Sequence, residues 1–236
     1  MEFSKRKILY ESWGFVKENL SFLIMVVLIL GGINLLMSIV QNSIFEETGV
    51  QGWIFIIAAN LFQMGLSLGI VHIALNILDK KDIAISQMFQ SFHLLLPYLL
   101  ASMIYLVLIL IVSLPGIILL FYSISMDWGN ILEFDTFGLW ELLLPGLLIL
   151  IPTTYFSLRL QFYNYFLVEE ECGIVESIKK SAEISKGYVG ELFLVEMVLM
   201  VLILISLIPL GLGLLLSVPL AIMMVAVIYR QLKTAF

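Results

Sequence analysis

From residue 94 to residue 124 the chain reads LLLPYLLASMIYLVLILIVSLPGIILLFYSI, without one charged side chain. Five more stretches, at 21–41, 53–78, 139–166, 190–208 and 211–229, carry few charges or none. A hydrocarbon layer of about 30 Å is crossed by roughly 20 apolar residues of helix. Backbone polar groups find no water there, so each run must satisfy its own hydrogen bonds as a helix. A membrane β-barrel is excluded, because its strands alternate apolar and polar residues and these runs are continuous. Hydrophobic residues make up 61% of the chain and charged residues 13%, against roughly a quarter charged in soluble domains. The predicted fold is therefore all-α: a polytopic membrane bundle of six transmembrane helices, in one integral membrane domain over residues 1–236. The third and fourth runs exceed what a bilayer needs. Pro115, followed by Gly116, is placed to kink the third, and Pro145 and Pro152 the fourth, whose end QFYNYFLV should project beyond the hydrocarbon. The first apolar run is too long for a cleavable signal peptide, and no small-residue cleavage site follows it.

The twelve basic residues set the topology. Lys5, Arg6, Lys7 and Lys17 precede the first run; Lys80 and Lys81 follow the second; Arg159, Lys179, Lys180 and Lys186 lie between the fourth and fifth; Arg230 and Lys233 follow the sixth. The other connections hold Glu46, Glu47, Asp127, Glu133, Asp135 and Glu141, or at 209–210 no charge. Basic residues are retained on the cytoplasmic side, which puts both termini there. The pI of 4.9 matters less than this asymmetry.

Ahead of each odd-numbered run lies a short amphipathic segment: KRKILYESWGFVKENL, DIAISQMFQSFHLL and GIVESIKKSAEISKGY. In the first, Leu9, Trp13, Val16 and Leu20 share one side of a helix, with Lys7, Glu11 and Glu18 opposite. In the third, Ile174 and Ile178 oppose Glu176, Lys179 and Glu183. Such segments are predicted to lie in the membrane interface as three cytoplasmic-side amphipathic elbow helices. Gly187, after Lys186, is placed to end the third. Three elbow-hairpin units follow, at approximately 1–78, 79–166 and 167–236. Their repetition raises a pseudo-threefold arrangement, set against the general tendency of membrane entry points to be amphipathic.

Mitochondrial carriers share three hairpins, but none of the six prolines here starts a Pro-x-acid-x-x-base motif. The segment RLQFYNYFLVEEECGIVESIKKSAEISKG has an arginine near a helix end (Arg159), an aromatic run (Phe162 to Phe166), acids and a glycine (Glu169 to Glu171, Gly173), Ser181, and a Lys186-Gly187 stop. With the tail YRQLK, Tyr229 through Lys233, it resembles a family of uncharacterised bacterial six-helix proteins related to the membrane domain fused to glycerophosphodiester phosphodiesterases. The resemblance implies a bacterial cytoplasmic (cell) membrane protein. The 236 residues contain no phosphodiesterase domain, so lipid-headgroup hydrolysis is not carried over.

Sites for chemistry are sparse. There is no phosphate-binding glycine loop, no His-Glu-x-x-His and no paired-cysteine spacing, and neither a cofactor nor a metal is expected. Cys172 has no intrachain partner and reads as a small structural residue. His72 and His93 fall near the expected cytoplasmic ends of the second and third runs and read as interfacial hydrogen-bonding groups, two ligands being too few for a metal. Glu191 and Glu196 lie in the fifth run. Glu196 should be about 10 Å inside the apolar layer, where a carboxylate must be protonated, paired or wet. Its partner by depth is Arg159, either as a structural ion pair, the preferred reading, or as a proton or substrate site. Asn60 and Gln63 lie one turn apart, beside a Gly65-xxx-Gly69 face that lets another helix approach closely. The first run adds Asn34. Arg159, Glu196, Asn60 and Gln63 are thus the candidate buried polar site.

Three functions compete. The preferred one is a non-enzymatic membrane protein that binds membrane lipids, a membrane-protein partner or its own copies, with no nucleic-acid partner. The second is a permease or exporter for a small or amphiphilic solute, using the four-residue polar site. An intramembrane enzyme is weakest, since no nucleophile with a base at helical spacing is visible.

Overall fold

The computed structural model describes residues 5–44, 49–126 and 139–235. Glu46, Glu47, Asp127, Glu133 and Asp135, on which part of the charge asymmetry rests, lie outside the described residues, as does the side chain of Glu141. The chain is all-α: α1 (Lys5–Glu18), α2 (Leu20–Ile44), α3 (Val50–Leu78), a 3-10 helix (Ile85–Leu94), α4 (Leu95–Met126), α5 (Leu139–Leu160), α6 (Tyr163–Glu170), α7 (Ile174–Ile184), α8 (Val189–Leu207) and α9 (Leu214–Ala235). Six of the segments so formed are long and apolar enough to cross a membrane. Their outer faces carry exposed Leu106, Ile118, Phe121, Leu150 and Leu204, an apolar surface that hydrocarbon solvates and water does not.

Burial is concentrated at one end of the bundle. In α3 the buried residues run from Gly65 to Ile77, apart from Gly52, and in α9 from Ser217 to Leu232. These two helices, with α1, α2, α6 and α8, share the main core around Ile73, Met88, Phe162, Leu192, Met223 and Tyr229. A smaller core joins Ala101 of α4, Leu160 of α5, Leu167 of α6 and Ile178 of α7. The α4–α5 pair is the most extensive helix contact among the described residues. Its closeness depends on Gly116, where a Cβ would come within 2.8 Å of the Pro145 carbonyl oxygen. The helix runs on through Pro115, so the Pro-Gly pair, read from sequence as a kink, also serves as a seat for α5.

The three short segments are present but differ in kind. The buried face of α1 is Ile8, Ser12 and Val16, set against α9. That corrects the predicted stripe: Val16 is shared, Trp13 and Leu20 are half-buried, and Leu9 is exposed. Ser12 can sit inward because its hydroxyl donates to the Ile8 carbonyl at 2.8 Å. The second segment is a 3-10 helix packed on α3, and Gly65 and Gly69 are its seat instead of a transmembrane helix's. A Cβ at Gly69 would lie 2.1 Å from the Met88 carbonyl oxygen, and one at Gly65 would meet the tip of the Phe92 ring. In α7 the stripe faces protein: Ile178 is buried in the smaller core, while Glu176, Lys179 and Glu183 are exposed. Past its end Gly187 adopts φ +88°, a conformation costly for other residues. No threefold equivalence is evident in these three packings among the described residues.

Candidate functional site

The fourth run breaks after Leu160, and one hydroxyl explains the break. Ser181, fully buried in α7, accepts the Phe162 amide at 3.0 Å and donates to the Arg159 carbonyl at 3.1 Å. The Ser185 hydroxyl donates to the same carbonyl at 2.8 Å. Continuing α5 would use that amide and carbonyl within the helix; α7 takes them over, and the chain restarts as α6. The expected projecting end QFYNYFLV is thus a turn followed by a separate helix. Arg159 completes the clamp. Its Nε donates to the Ala182 carbonyl at 3.0 Å, where a helix end has carbonyls without intrahelical donors. Its Nη2 donates to the same oxygen, and its Nη1 donates to the Tyr155 hydroxyl at 3.0 Å.

Beside this clamp runs a ladder of alternating charge. Lys81 contacts Asp79 at 3.0 Å, and Asp79 accepts from Arg230 at 2.7 Å. Arg230 also reaches Glu169 at 2.7 Å, and Glu169 accepts from Lys233 at 2.8 Å. Lys233 continues to Glu170, Glu170 to Lys180 at 2.8 Å, and Lys180 to Glu176 at 2.7 Å. Four cations meet four anions, so the ladder is neutral while it ties the end of α3 to α9, α6 and α7. The bonds to Glu170 and Glu176 raise the Lys180 pKa, and Lys180 in turn lowers that of Glu176. Under the ladder the Tyr229 ring is fully buried, 4.9 Å from Tyr165 and edge-on to Phe166, and its hydroxyl donates to Glu169.

Between α5 and α8 an apolar groove of about 340 Å³ opens sideways on the bundle. Leu150, Ile151, Thr154, Tyr155 and Leu158 form one wall; Val189, Gly190 and Phe193 form the other. The Arg159 guanidinium stands 5.8 Å from the centre of the ring of Tyr155, one of the groove's lining residues. The groove has the size and lining of a site for an apolar ligand.

The candidate buried polar site does not assemble. Asn60 and Gln63 are exposed, and Asn60 donates to the Ile56 carbonyl of its own helix at 2.7 Å. Glu196 is half-buried, and among the described residues neither a hydrogen bond nor an ion pair joins it to Arg159. Arg159 turns instead to the end of α7, where two of its donors share the Ala182 carbonyl, while a third reaches Tyr155 on its own helix. Glu191 pairs with Lys5 at 2.8 Å, linking α1 to α8. The histidines bond separately, His72 with Ser91 and His93 with Gln90 and Glu171. Among the described residues no three His, Cys, Asp or Glu side chains group as a metal site. Asn34 bonds the Leu30 carbonyl, and Cys172 donates to the Phe166 carbonyl, burial pushing its thiol pKa up.

The ladder was missed by helical-spacing arguments, yet its parts were in view: Glu169, Glu170, Tyr229, Arg230 and Lys233 all belong to the segments quoted for the family likeness, as do the clamp residues Arg159, Phe162 and Ser181. The family model described as "Protein of unknown function (DUF975)" matches residues 5–235. The chain belongs to this family. Membership spans both ends of the ladder and both walls of the groove, from the α1 segment to the last turn of α9. Comparison with curated proteins finds no match, and comparison with solved structures finds none.

Proposed function

We propose that the protein is a non-enzymatic, multi-pass protein of the bacterial cytoplasmic membrane that holds a lipid acyl chain in the groove between α5 and α8. The observation that carries this reading is the groove itself: it is apolar, its wall residues Leu150 and Ile151 are exposed on the flank of the bundle, and the Tyr155 ring of its lining carries the Arg159 guanidinium. α1, the 3-10 helix and α7 serve as elbows at the cytoplasmic face. Their support is the gathering of the described basic residues at one end of the bundle, with half-buried Trp13 and exposed Tyr10 beside them. A kinship with the phosphodiesterase-fused membrane domain is supported by the likeness of the Arg159–Gly187 and Tyr229–Lys233 segments alone, the matched family being one of unknown function, and no headgroup hydrolysis is proposed. A permease would need Asn60, Gln63, Arg159 and Glu196 around a common cavity, and the exposure of Asn60 and Gln63 weighs against it.

Gly190 offers the test. A Cβ there meets no atom within 4 Å, so Gly190→Leu grows into open groove without displacing protein. In native mass spectrometry of protein purified with its lipids, the wild type should retain lipid and Gly190→Leu should lose it. Equal retention by both sinks the reading. For orientation, a cysteine replacing exposed Leu210, in a Cys172→Ser background, should label from outside intact cells, and one replacing Lys186 should not; the reverse pattern would overturn the assignment.

A further inference from the structure

We infer that the groove selects lipids with a net anionic headgroup, and that Arg159 is the selecting residue; this rests on the lipid reading of the groove. Arg230, Lys233 and Lys180, at the same end of the bundle, each contact two carboxylates. Arg159 is different. It is half-buried, and among the described residues no carboxylate pairs with it; its acceptors, the Ala182 carbonyl and the Tyr155 hydroxyl, are both neutral. A guanidinium has five N–H donors, and three bonds leave two free. A cation with donors to spare attracts an anion, and a fork of N–H groups matches the oxygens of a phosphate.

Position supplies the second half of the argument. The guanidinium lies over Tyr155 and one residue from Leu158, and both line the groove, so a chain seated there brings its headgroup to Arg159. The nearby charges agree. Lys186, exposed and three residues ahead of Val189 of the groove wall, adds a positive charge, whereas Glu191 is taken up by Lys5. Glu196 lies about 10 Å farther along α8 than Val189, beyond the level of the headgroup. A zwitterionic headgroup would bring its own ammonium into this positive setting and forfeit part of the gain.

Phosphatidylglycerol and phosphatidylcholine with identical acyl chains, titrated into delipidated protein and read by native mass spectrometry, separate the possibilities. The wild type should bind the anionic lipid about tenfold more tightly, since both headgroups offer the phosphate and only the choline brings an ammonium against Arg159 and Lys186, and added salt should erode the preference. Arg159→Gln should bring the ratio close to one while phosphatidylcholine binding persists, and Arg159→Lys should keep part of the preference. Since Arg159 also holds the end of α7, the salt series on unaltered protein stands as an independent check. Equal wild-type affinity for both lipids, or a preference that survives Arg159→Gln, overturns the inference and leaves the groove reading intact. Failure of both lipids to bind, or undiminished binding by Gly190→Leu, overturns the groove reading instead.

Discussion

Arg230 reaches Asp79 at 2.7 Å across 151 positions of sequence, and the same guanidinium holds Glu169. One side chain of α9 thereby fixes the end of α3 relative to α6. Its side chain and that of Asp79 are each about one-third exposed, so water and salt weaken the pair. Arg230→Gln and Asp79→Asn should each lower stability, and their double-mutant cycle should return a coupling of about 0.2–1 kcal/mol that shrinks as salt rises. Thermal unfolding in detergent at two ionic strengths measures it; a coupling indifferent to salt would mean that the two residues act through packing.

Tyr229 combines a sealed ring with a hydroxyl bonded to a carboxylate. Tyr229→Phe keeps the aromatic contacts and removes one donor to Glu169, which retains Arg230 and Lys233. Hydrogen bonds to charged groups contribute about 1.5–3 kcal/mol, and the loss should fall at the low end of that range. Unchanged unfolding of Tyr229→Phe would show that the hydroxyl is dispensable.

Three glycines make a graded series. Gly69→Ala forces a methyl against the Met88 carbonyl, which is backbone and yields little, and should cost about 1–3 kcal/mol as overpacking does. Gly65→Ala meets the end of the Phe92 ring, which can turn aside, and should cost less. Gly190→Ala meets nothing and should be neutral or stabilise by up to about 1 kcal/mol through helix propensity. Any other order of the three melting temperatures would refute this account of the 3-10 helix's seat.

Cys172 is half-buried with a raised thiol pKa, burial being the main cause. The reactive species is the thiolate. Alkylation of an ordinary thiol levels off above a pH of about 8.5, whereas the rate at Cys172 should still climb there. Maleimide labelling followed across pH in detergent tests this, and a plateau at the ordinary value would contradict it.

The six spans were legible because a long uncharged run has so few folded solutions. What the sequence hid depends on neighbours. Leu9, Trp13, Val16 and Leu20 make a sound stripe, but so do Ile8, Ser12 and Val16, and the choice falls to α9; Ser12 can join the buried face because its hydroxyl bonds the Ile8 carbonyl. The break after Leu160 is set by Ser181, 19 residues beyond the amide it accepts. Asn60 suggested a buried cluster, yet it meets its own hydrogen-bonding need within α3. The ladder joins residues as far apart as Asp79 and Arg230, a separation at which no helical spacing rule applies. Family likeness marks Glu169, Glu170, Glu176, Lys180, Arg230 and Lys233 without saying what they touch, and it leaves out Asp79 and Lys81.

The seat of α1 on α9 has a consequence for biosynthesis. Ile8, Ser12 and Val16 leave the ribosome well before α9, the helix that covers them; at about 5–20 residues per second, on the order of 10–40 s of translation separates the two. Throughout that interval the N-terminal helix has an apolar face without its partner, and Glu11 waits for Gln231. The nascent chain must park that face on the membrane surface or on a chaperone. The docking of α1 on α9 must therefore await synthesis of α9, and a chain truncated before α9 would leave the Ile8–Val16 face uncovered for quality-control proteases to find.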